Sequence, residues 1–315
     1  MPGSGDAFLE QLYLSLRDLT ADQRKLILAV SGGADSLALM LGATRLSDRL
    51  NASLAVVTVD HGLSLGSKVE AKKVIEHARA LQLPAVVKRI ALKRGPGVEE
   101  RARAKRYATL EAERRRRRFH WVATAHTASD QAETLLMRLA RGSALTGAAG
   151  ILERRDRVIR PLLFATRAQV RDWLTKQDVR WHDDPMNDDS ALLRTRVRKD
   201  VLPALEKATD ARVSMRLARF ARLASDDDAL LQAQADEAFA KLRRAPDRFD
   251  ARGLSVLPPS LERRVLSRWL KELGLAVDGD LIERMRHAIE TGGVTALPQR
   301  RLLKCRRGNA SIVIE

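Results

Sequence analysis

The sequence has almost no cysteine and few aromatic residues, and both shortages narrow the possible functions. Cys305 is the only cysteine among the 315 residues, which excludes an internal disulfide and a zinc site built from cysteines. A chain of this composition suits the reducing cytoplasm. Aromatic residues make up 4% of the chain, so it offers few platforms on which single-stranded nucleic acid could stack.

Long apolar segments are also missing. No run reaches the roughly 18 apolar residues that a membrane span needs. The N-terminus lacks the basic start and apolar core of a signal peptide. We therefore predict a soluble protein of the cytoplasm that does not insert into a membrane.

Acidic residues are outnumbered: 40 Asp and Glu stand against 57 Lys and Arg, and the formal net charge is +17. This surplus favours a polyanionic partner, with nucleic acid ahead of a membrane surface because no amphipathic anchor stands out. A generally basic surface that serves only solubility explains the charge equally well. Charge alone leaves both interpretations open.

The first half of the chain alternates apolar runs with helical patterns. The runs are continuous, as expected of strands that are buried on both faces. Repeated strand–helix units of this length imply a parallel sheet with helices on both faces. The predicted strands cover residues 26–30, 54–59, 85–90 and 121–125, and the predicted helices cover 7–19, 36–46, 67–81, 98–118, 130–141 and 166–177.

The pattern changes near residue 205. From there to about residue 244 the sequence is rich in Ala, Leu and Arg and reads as helical, and two further helices precede short β-like runs that end at residue 314. We predict an α/β domain over residues 1–205 and a smaller, mainly helical domain over residues 206–315.

The strongest local signal is the segment SGGADS, residues 31–36, between the first buried strand and its helix. A diphosphate is bound by backbone N–H groups at a helix N-terminus, where the helix dipole favours negative charge. The two glycines let the main chain approach closely, the serines add hydroxyl donors, and Asp35 could hold Mg²⁺. No lysine follows, so this is not a Walker A loop and γ-phosphate transfer is the less natural chemistry. The alternative is a Gly-Gly turn whose Ser31 or Asp35 caps the helix.

Two carboxylates lie three residues apart on the predicted helix that follows the fourth strand. Asp130 and Glu133 therefore share a helix face, where they could grip an ammonium group or hold a metal. The alternative is capping, because Thr127 with Asp130, and Asp130 with Glu133, have the spacing of capping boxes. His126 ends the fourth strand, at the edge where open α/β sheets bind ligands, although a packing histidine would look the same.

Several basic and acidic segments could serve the same site. Arg103 and Arg106 share a helix face beside Tyr107 and suit phosphate or carboxylate, with a solvated basic face as the alternative. The arginines at 114–118 cover the whole circumference of a helix end, which indicates complementarity to the helix dipole and non-specific attraction to RNA. The acidic turn at residues 183–188 would ordinarily be a capped, solvated loop, and the arginines after it would face nucleic acid or form ion pairs. These residues are Asp183, Asp184, Asn187, Asp188, Arg194, Arg196 and Arg198.

Taken together and in order, the segments over about residues 24–203 resemble the tRNA(Ile)-lysidine synthases, a PP-loop family of N-type ATP pyrophosphatases. Thr127 and Ser129 stand where that family often has a second His and an Asp. The segments that carry the resemblance are SGGADS at 31–36, Val59-Asp60-His61-Gly62-Leu63, Glu99 with Ala102, Arg103, Arg106 and Tyr107, Ala123-Thr124-Ala125-His126, Asp130-Gln131-x-Glu133-Thr134, Arg138-x-x-Arg141-Gly142, Arg160-Pro161-Leu162-Leu163 and Trp181-x-Asp183-Asp184-Pro185-x-Asn187.

The resemblance implies an enzyme that uses ATP and Mg²⁺ to attach L-lysine to the wobble cytidine of tRNA(Ile) with a CAU anticodon, through an adenylated cytidine. It implies Asp35, Asp130 and Arg106 as catalytic residues, Asp130 and Glu133 as lysine-binding residues, and Asp35 as the metal ligand. A homodimer is left open as the oligomeric state. The implied ATP-binding residues are Ser31, Gly32, Gly33, Ala34, Asp35, Ser36, His61 and His126.

Two other functions compete with this one. A tRNA 2-thiolation enzyme of the same PP-loop group would need cysteines to carry sulfur. Because Cys305 is the only cysteine in the sequence, this function is disfavoured. A non-catalytic, basic RNA-binding protein would have no use for an intact segment at 31–36 or for Asp130 and Glu133. The helices and basic residues of the C-terminal domain suggest that it binds or positions tRNA.

Overall fold

The structure is a computed structural model that describes residues 6–60, 62, 66–92, 95, 97–182 and 193–314. The chain forms two compact units, Met1–Ser225 and Asp226–Glu315. The division falls within one long helix, α11 (Val213–Leu242). The first unit therefore includes helical segments that follow residue 205, where the sequence pattern placed the boundary.

The N-terminal unit is built on a six-stranded sheet whose order is β3-β2-β1-β4-β6-β5. The first five strands in this order run parallel, and β5 pairs antiparallel with β6. The parallel sheet predicted from the sequence is confirmed, whereas the short antiparallel hairpin at its edge was not predicted. The strands are β1 (Lys25–Ala29), β2 (Ser53–Asp60), β3 (Ala85–Arg89), β4 (Trp121–Ala123), β5 (Arg154–Arg155) and β6 (Val158–Ile159).

Helices cover both faces of this sheet, as predicted. Several begin at a capping side chain: Thr127 caps α6 and Thr166 caps α8, each in a reciprocal capping box. A π-helical turn, Val197–Val201, connects α9 with α10. The helices of this unit are α1 (Ala7–Thr20), α2 (Ala34–Arg45), α3 (Ser47–Leu50), α4 (Ser67–Ala80), α5 (Val98–Arg116), α6 (Ala128–Leu139), α7 (Leu145–Ala148), α8 (Arg167–Lys176), α9 (Leu193–Arg196) and α10 (Leu202–Ala208).

Alternation along the central strand divides the core between the two faces of the sheet. Leu26 and Leu28 pack with residues of α1, α2 and α4, while Ile27 packs on the opposite face with Leu110 of α5. All three β1 side chains are almost fully buried. Because successive strand residues point to opposite faces, burial on both faces requires the unbroken apolar run seen in the sequence.

The C-terminal unit combines helices with a five-stranded antiparallel sheet of order β7-β8-β11-β10-β9. Its core contains Phe249, whose ring centre lies 4.9 Å from that of Phe239 and 4.6 Å from that of Trp269. The β-like runs of the sequence are the last strands of this sheet. Its elements after α11 are β7 (Arg243–Ala245), β8 (Arg248–Asp250), α12 (Ala251–Ser255), α13 (Pro259–Glu272), α14 (Gly279–Thr291), β9 (Val294–Leu297), β10 (Arg301–Arg306) and β11 (Asn309–Ile314).

Two absences can be stated for the described residues. No helix among them is both long and apolar enough to cross a membrane. They also contain no group of three or more His, Cys, Asp and Glu side chains placed to hold a metal ion.

Candidate active site

The strand order places one crevice at the carboxyl ends of β1 and β4. These two strands are neighbours at the centre of the sheet, and Leu28 of β1 pairs with Ala123 of β4. The chain leaves β1 toward β2 on one side, whereas β4 lies on the other side of β1. Open α/β sheets bind ligands at such a switch point. The loop after β1 carries Ser31 to Ser36, and the loop after β4 carries His126, so the two predicted motifs meet there.

The Ser31–Ser36 loop is folded around the hydroxyl of Ser36. The Ser36 Oγ accepts hydrogen bonds from the N–H groups of Ser31 and Gly32, each at 3.2 Å, and donates to the carbonyl of Gly33 at 2.9 Å. Gly32 has φ of +93°, a backbone conformation that favours glycine. A Cβ at Gly32 would also lie 3.4 Å from Val74 on α4. Ser36 therefore shapes the loop, a role that the sequence interpretation did not assign to it.

The helix that follows this loop presents its N-terminus to the crevice. The first intrahelical hydrogen bond runs from Leu37 N–H to the Gly33 carbonyl. The N–H groups of Ala34, Asp35 and Ser36 precede it and have no acceptor within the helix. With the positive end of the helix dipole, these donors suit a phosphate group.

Asp35 lies in the first turn of that helix and has one oxygen without a partner among the described residues. Its Oδ1 is buried and makes no hydrogen bond there, and its Oδ2 lies 3.8 Å from Arg167 Nε. Burial, together with the nearby carboxylate of Asp130, raises the pKa of Asp35 to about 7, although Arg167 opposes the shift. A buried carboxylate with an orphaned oxygen fits a divalent cation, which would supply the missing positive charge.

Asp130 both caps its helix and faces the crevice. Its Oδ2 accepts hydrogen bonds from the backbone N–H and the hydroxyl of Thr127, at 2.8 and 2.9 Å. Its Oδ1 accepts one from Arg167 and one from Arg194, both at 2.9 Å. Burial alone would raise the pKa of Asp130, but Arg167 and Arg194 hold it at about 2. The Oδ2 atom therefore serves the predicted capping box, and the Oδ1 atom belongs to the candidate site.

Glu133 is completely buried and touches three arginines. Its Oε1 accepts from Arg198 at 2.8 Å and from Arg167 at 3.2 Å, and its Oε2 accepts from Arg194 at 2.6 Å. Burial opposes ionisation, yet Arg198 and then Arg194 keep the pKa of Glu133 below its ordinary value. Three guanidinium groups face these two ionised carboxylates, which leaves one positive charge in excess before Asp35 is counted.

Arg167 joins all three predicted carboxylates, although the sequence interpretation did not single it out. Its guanidinium contacts Asp35, Asp130 and Glu133. Its backbone N–H donates to the Ser129 hydroxyl at 3.1 Å. Ser129, a departure from the family pattern, therefore fixes the start of α8 against α6. The sequence signal was slight: Arg167 is the first helical residue after the Thr166 cap.

His126 and Arg106 lie in a basic environment close to these carboxylates. Burial lowers the pKa of His126 to about 3, and Arg160, Arg103 and Arg106 act in the same direction against Asp130. The ring is therefore neutral at pH 7, and its Nδ1 lies 3.0 Å from Thr124 Oγ1. Burial also lowers the pKa of Arg106 from its ordinary value. Both residues thus belong to the same electropositive region as Asp130.

Several predicted site residues lie outside the described part of the chain. These are His61 and the acidic-turn residues Asp183, Asp184, Asn187 and Asp188, together with the side chain of Glu99. His182, just before the acidic turn, does reach the phosphate loop, because its N–H donates to the Gly32 carbonyl at 3.4 Å.

The five arginines at 114–118 have a structural role within their own helix. Arg114 and Arg115 contact Glu111, and Arg116 and Arg117 contact Glu113. Lys88 of β3 also contacts Glu113 at 3.0 Å, which ties α5 to the sheet. The fifth, Arg118, follows the helix with φ of +56°. Four members of the run therefore have carboxylate partners.

Comparison with known proteins first defines the class. Residues 7–205 match the family model of the PP-loop domain, so the N-terminal unit is an ATP-binding PP-loop domain. A solved structure of a U34-tRNA thiolase from Methanococcus maripaludis, with its [4Fe-4S] cluster, aligns with a TM-score of 0.56. It covers 69% of this chain and 78% of that chain at 17% identity, which supports the fold alone.

Curated relatives then define the family. A tRNA(Ile)-lysidine synthase of Salinispora tropica is 41% identical over 259 residues, covering 80% of this chain and 78% of the relative. One of Bradyrhizobium diazoefficiens is 38% identical over 312 residues, covering 92% of this chain and 84% of the relative. One of Thermobifida fusca is 40% identical over 256 residues, covering 81% and 78%. The chain belongs to the tRNA(Ile)-lysidine synthase family.

Proposed function

We propose that this protein ligates L-lysine to the wobble cytidine of tRNA(Ile) with a CAU anticodon and forms lysidine. The observation that carries the proposal is the meeting, at one sheet edge, of a helix N-terminus suited to phosphates with the Asp35, Asp130 and Glu133 carboxylates. Membership of the family supplies the substrates. We further propose that the enzyme works in the cytoplasm.

The reaction has two balanced steps. The cytosine O2 attacks the α-phosphorus of ATP and pyrophosphate leaves, which makes O2 part of a good leaving group. The lysine ε-amine then attacks C2, the C2–O2 bond breaks, and AMP departs with that oxygen while the amine loses a proton. Holding ATP, base and lysine together supplies much of the acceleration, because it removes the entropic cost of bringing them into contact.

We propose that the Ser31–Ser36 loop and the start of α2 bind the phosphates. Asp35 would hold Mg²⁺, which neutralises developing phosphate charge when bound. His126, neutral and near the crevice, and His61 would contact the nucleotide. Arg106 would stabilise negative charge on the departing phosphate groups.

We keep Asp130 and Glu133 as the lysine-binding residues. In the structure, arginines occupy Asp130 Oδ1 and both oxygens of Glu133, and Thr127 occupies Asp130 Oδ2, so an incoming ammonium would have to replace or share one of these contacts. The excess positive charge of the same cluster suits the carboxylate of lysine or the phosphates of ATP. This charge balance supports a site for an amino acid with its anionic co-substrate rather than for an isolated ammonium.

We propose that the C-terminal domain, residues 206–315 by the sequence boundary, positions the tRNA.

Cys305 argues against the 2-thiolation alternative, because burial raises the pKa of its thiol to about 11. A sulfur carrier reacts as the thiolate, which this residue does not form at neutral pH. Light scattering of the purified protein tests whether it forms a homodimer.

Incorporation of labelled lysine into purified tRNA(Ile) tests the function. We expect acid-precipitable label that depends on ATP, on Mg²⁺ and on a CAU anticodon. The same tRNA with a GAU anticodon and the Asp35→Ala variant are the controls. The proposal fails if no lysine is incorporated while the enzyme releases pyrophosphate with another acceptor.

A further inference from the structure

A groove lies on the side of α4 that faces away from the phosphate loop, at the edge of the sheet. Its volume is about 670 Å³, and it is bounded by α4, the end of β2 and the edge strand β3. The four α4 residues in it follow helical spacing and share one face. The lining residues are Asp60, Lys68, Ala71, Lys72, Ile75, Val87 and Arg89.

The groove has an apolar floor and a cationic rim. Ala71, Ile75 and Val87 are buried or half-buried, whereas Lys68, Lys72 and Arg89 are exposed. The side chain of Lys72 is 80% exposed and that of Arg89 is 72% exposed. Lys68, Lys72 and Arg89 outnumber the carboxylates of Asp60 and of Glu76, which lies 3.8 Å from Lys72 Nζ, so the groove keeps one positive charge in excess that solvent, and therefore a ligand, can reach.

Asp60 fixes the position of one of these cations. Its side chain is only 3% exposed, its Oδ1 accepts the Gly62 N–H at 2.9 Å, and its Oδ2 lies 3.7 Å from Arg89 Nε. Although burial opposes it, the Ser67 hydroxyl, then the Gly62 N–H and Arg89, hold the pKa of Asp60 below its ordinary value. A carboxylate that stays ionised in this position orients Arg89 while the guanidinium remains accessible.

The groove and the phosphate loop lie on two sides of the same helix. Val74 and Glu70 of α4 approach Gly32 of the loop, whereas Lys68 and Lys72 line the groove. An α-helix with side chains is about 10–12 Å across. If the reacting base of an RNA lies at the loop, the neighbouring nucleotides are therefore within reach of the groove.

We propose that this groove binds the sugar-phosphate backbone of the tRNA beside the reacting cytidine. Lys68, Lys72 and Arg89 contact phosphodiester oxygens, and the apolar floor lies under a sugar or a base. The inference rests on the proposed function, which brings an RNA to the adjacent loop. Exposed point charges along one helix suit a polyanionic chain better than a compact triphosphate, which needs converging backbone donors such as those of the loop.

The test compares two double variants that remove the same charge. Lys68→Ala with Lys72→Ala alters the groove, and Lys176→Ala with Lys207→Ala removes two exposed lysines elsewhere on the N-terminal unit. The affinity for tRNA(Ile) is measured between about 50 and 200 mM salt, together with the affinity for ATP without tRNA. We expect the groove variant to bind tRNA roughly tenfold more weakly, with a salt slope lower by about 1.4, because each single-strand phosphate contact contributes about 0.7.

The affinity for ATP and the unfolding temperature should match those of the control variant. Lys68→Arg with Lys72→Arg should restore tRNA affinity, since it keeps the charge. Equal tRNA affinity and salt slope in the groove and control variants would overturn the inference. Weaker ATP binding with unchanged tRNA binding would overturn it as well, and would assign the groove to the nucleotide. Failure of the proposed function is a different result: the unmodified enzyme would incorporate no lysine, whatever the groove variants bind.

Discussion

Two networks of arginines and glutamates in the N-terminal unit differ in their surroundings. In the first, Glu133 is fully buried and lies with Arg167, Arg194 and Arg198 at the carboxyl edge of the sheet. In the second, Glu113 is also buried, at 3% exposed, but it contacts Arg116, which is 61% exposed, near the end of α5. The second network staples a helix to the sheet, whereas the first holds excess positive charge beside the Asp35 carboxyl. The difference shows that an arginine's function depends on the dielectric around it and on the charge balance of its neighbours.

Removing the central carboxylate of each network gives the largest contrast. Glu133→Gln should lower the free energy of unfolding by about 3–5 kcal/mol, because it leaves three partly buried guanidinium groups with Asp130 as their main remaining counter-charge. It should also abolish lysine incorporation. Urea unfolding and the lysine assay measure the two effects.

Glu113→Gln is the matched control for that change. It should cost about 2 kcal/mol, the scale of charged hydrogen bonds, and leave lysine incorporation within about twofold of the unmodified enzyme. If both variants lose the same stability and the same activity, the proposed distinction is wrong: the Glu133 network would then have no role in the site beyond the structural role of the Glu113 network.

The second prediction separates stability from function at Asp35. Asp35→Asn should reduce lysine incorporation by about 10²-fold or more, since it removes the carboxylate proposed to hold Mg²⁺. Measured with chelator present, it should raise the free energy of unfolding at pH 8 by about 2–4 kcal/mol.

The sign follows from the raised pKa of Asp35, about 7 against 3.8. Between these values the folded state keeps a proton that the unfolded state has lost, so the stability of the unmodified protein falls as the pH rises from about 4 to about 7. The gain from Asp35→Asn should therefore be smaller at pH 5 than at pH 8. Asp172→Asn, at an exposed carboxylate, should show no such difference; a gain independent of pH at Asp35 would contradict the assignment.

The smallest effect is expected in the arginine run of the second network. Arg115→Ala with Arg116→Ala should cost less than about 1 kcal/mol, because both side chains are largely exposed. The salt slope of tRNA binding should change by less than half of the change expected for the Lys68 and Lys72 variant, since Arg115 and Arg116 lie 2.7 and 2.6 Å from their carboxylates, whereas Lys72 lies 3.8 Å from Glu76. Equal slopes for the two variants would show that the run contacts RNA despite its pairs.

The sequence predicted most of the catalytic-domain fold because that information is local. Unbroken apolar runs at 26–30 and 54–59 became β1 and β2 with shifts of about a residue at their ends. The hairpin of β5 and β6 was missed, since strands of two residues carry no periodic signal. The C-terminal β-like runs were recognised, but their assembly into a sheet depends on pairings between distant segments.

The site was predicted unevenly for the same reason. The phosphate loop is contiguous, so its residues and its place between strand and helix could be read directly. Arg167 was not predicted as a site residue, because the sequence gives no sign that it contacts Asp130. A single arginine after a capping threonine is indistinguishable from many solvated ones.

The amino-acid sequence by itself therefore determined the chemistry that is written in short segments: a loop for phosphates, a parallel sheet to carry it, and the family to which the chain belongs. Only the tertiary structure decided the charge balance of the site. Arg167 lies 37 residues from Asp130, and Arg198 lies 65 residues from Glu133. Coulomb interactions act through space and strengthen in a buried setting, so their outcome depends on which distant residues the fold brings within a few ångströms.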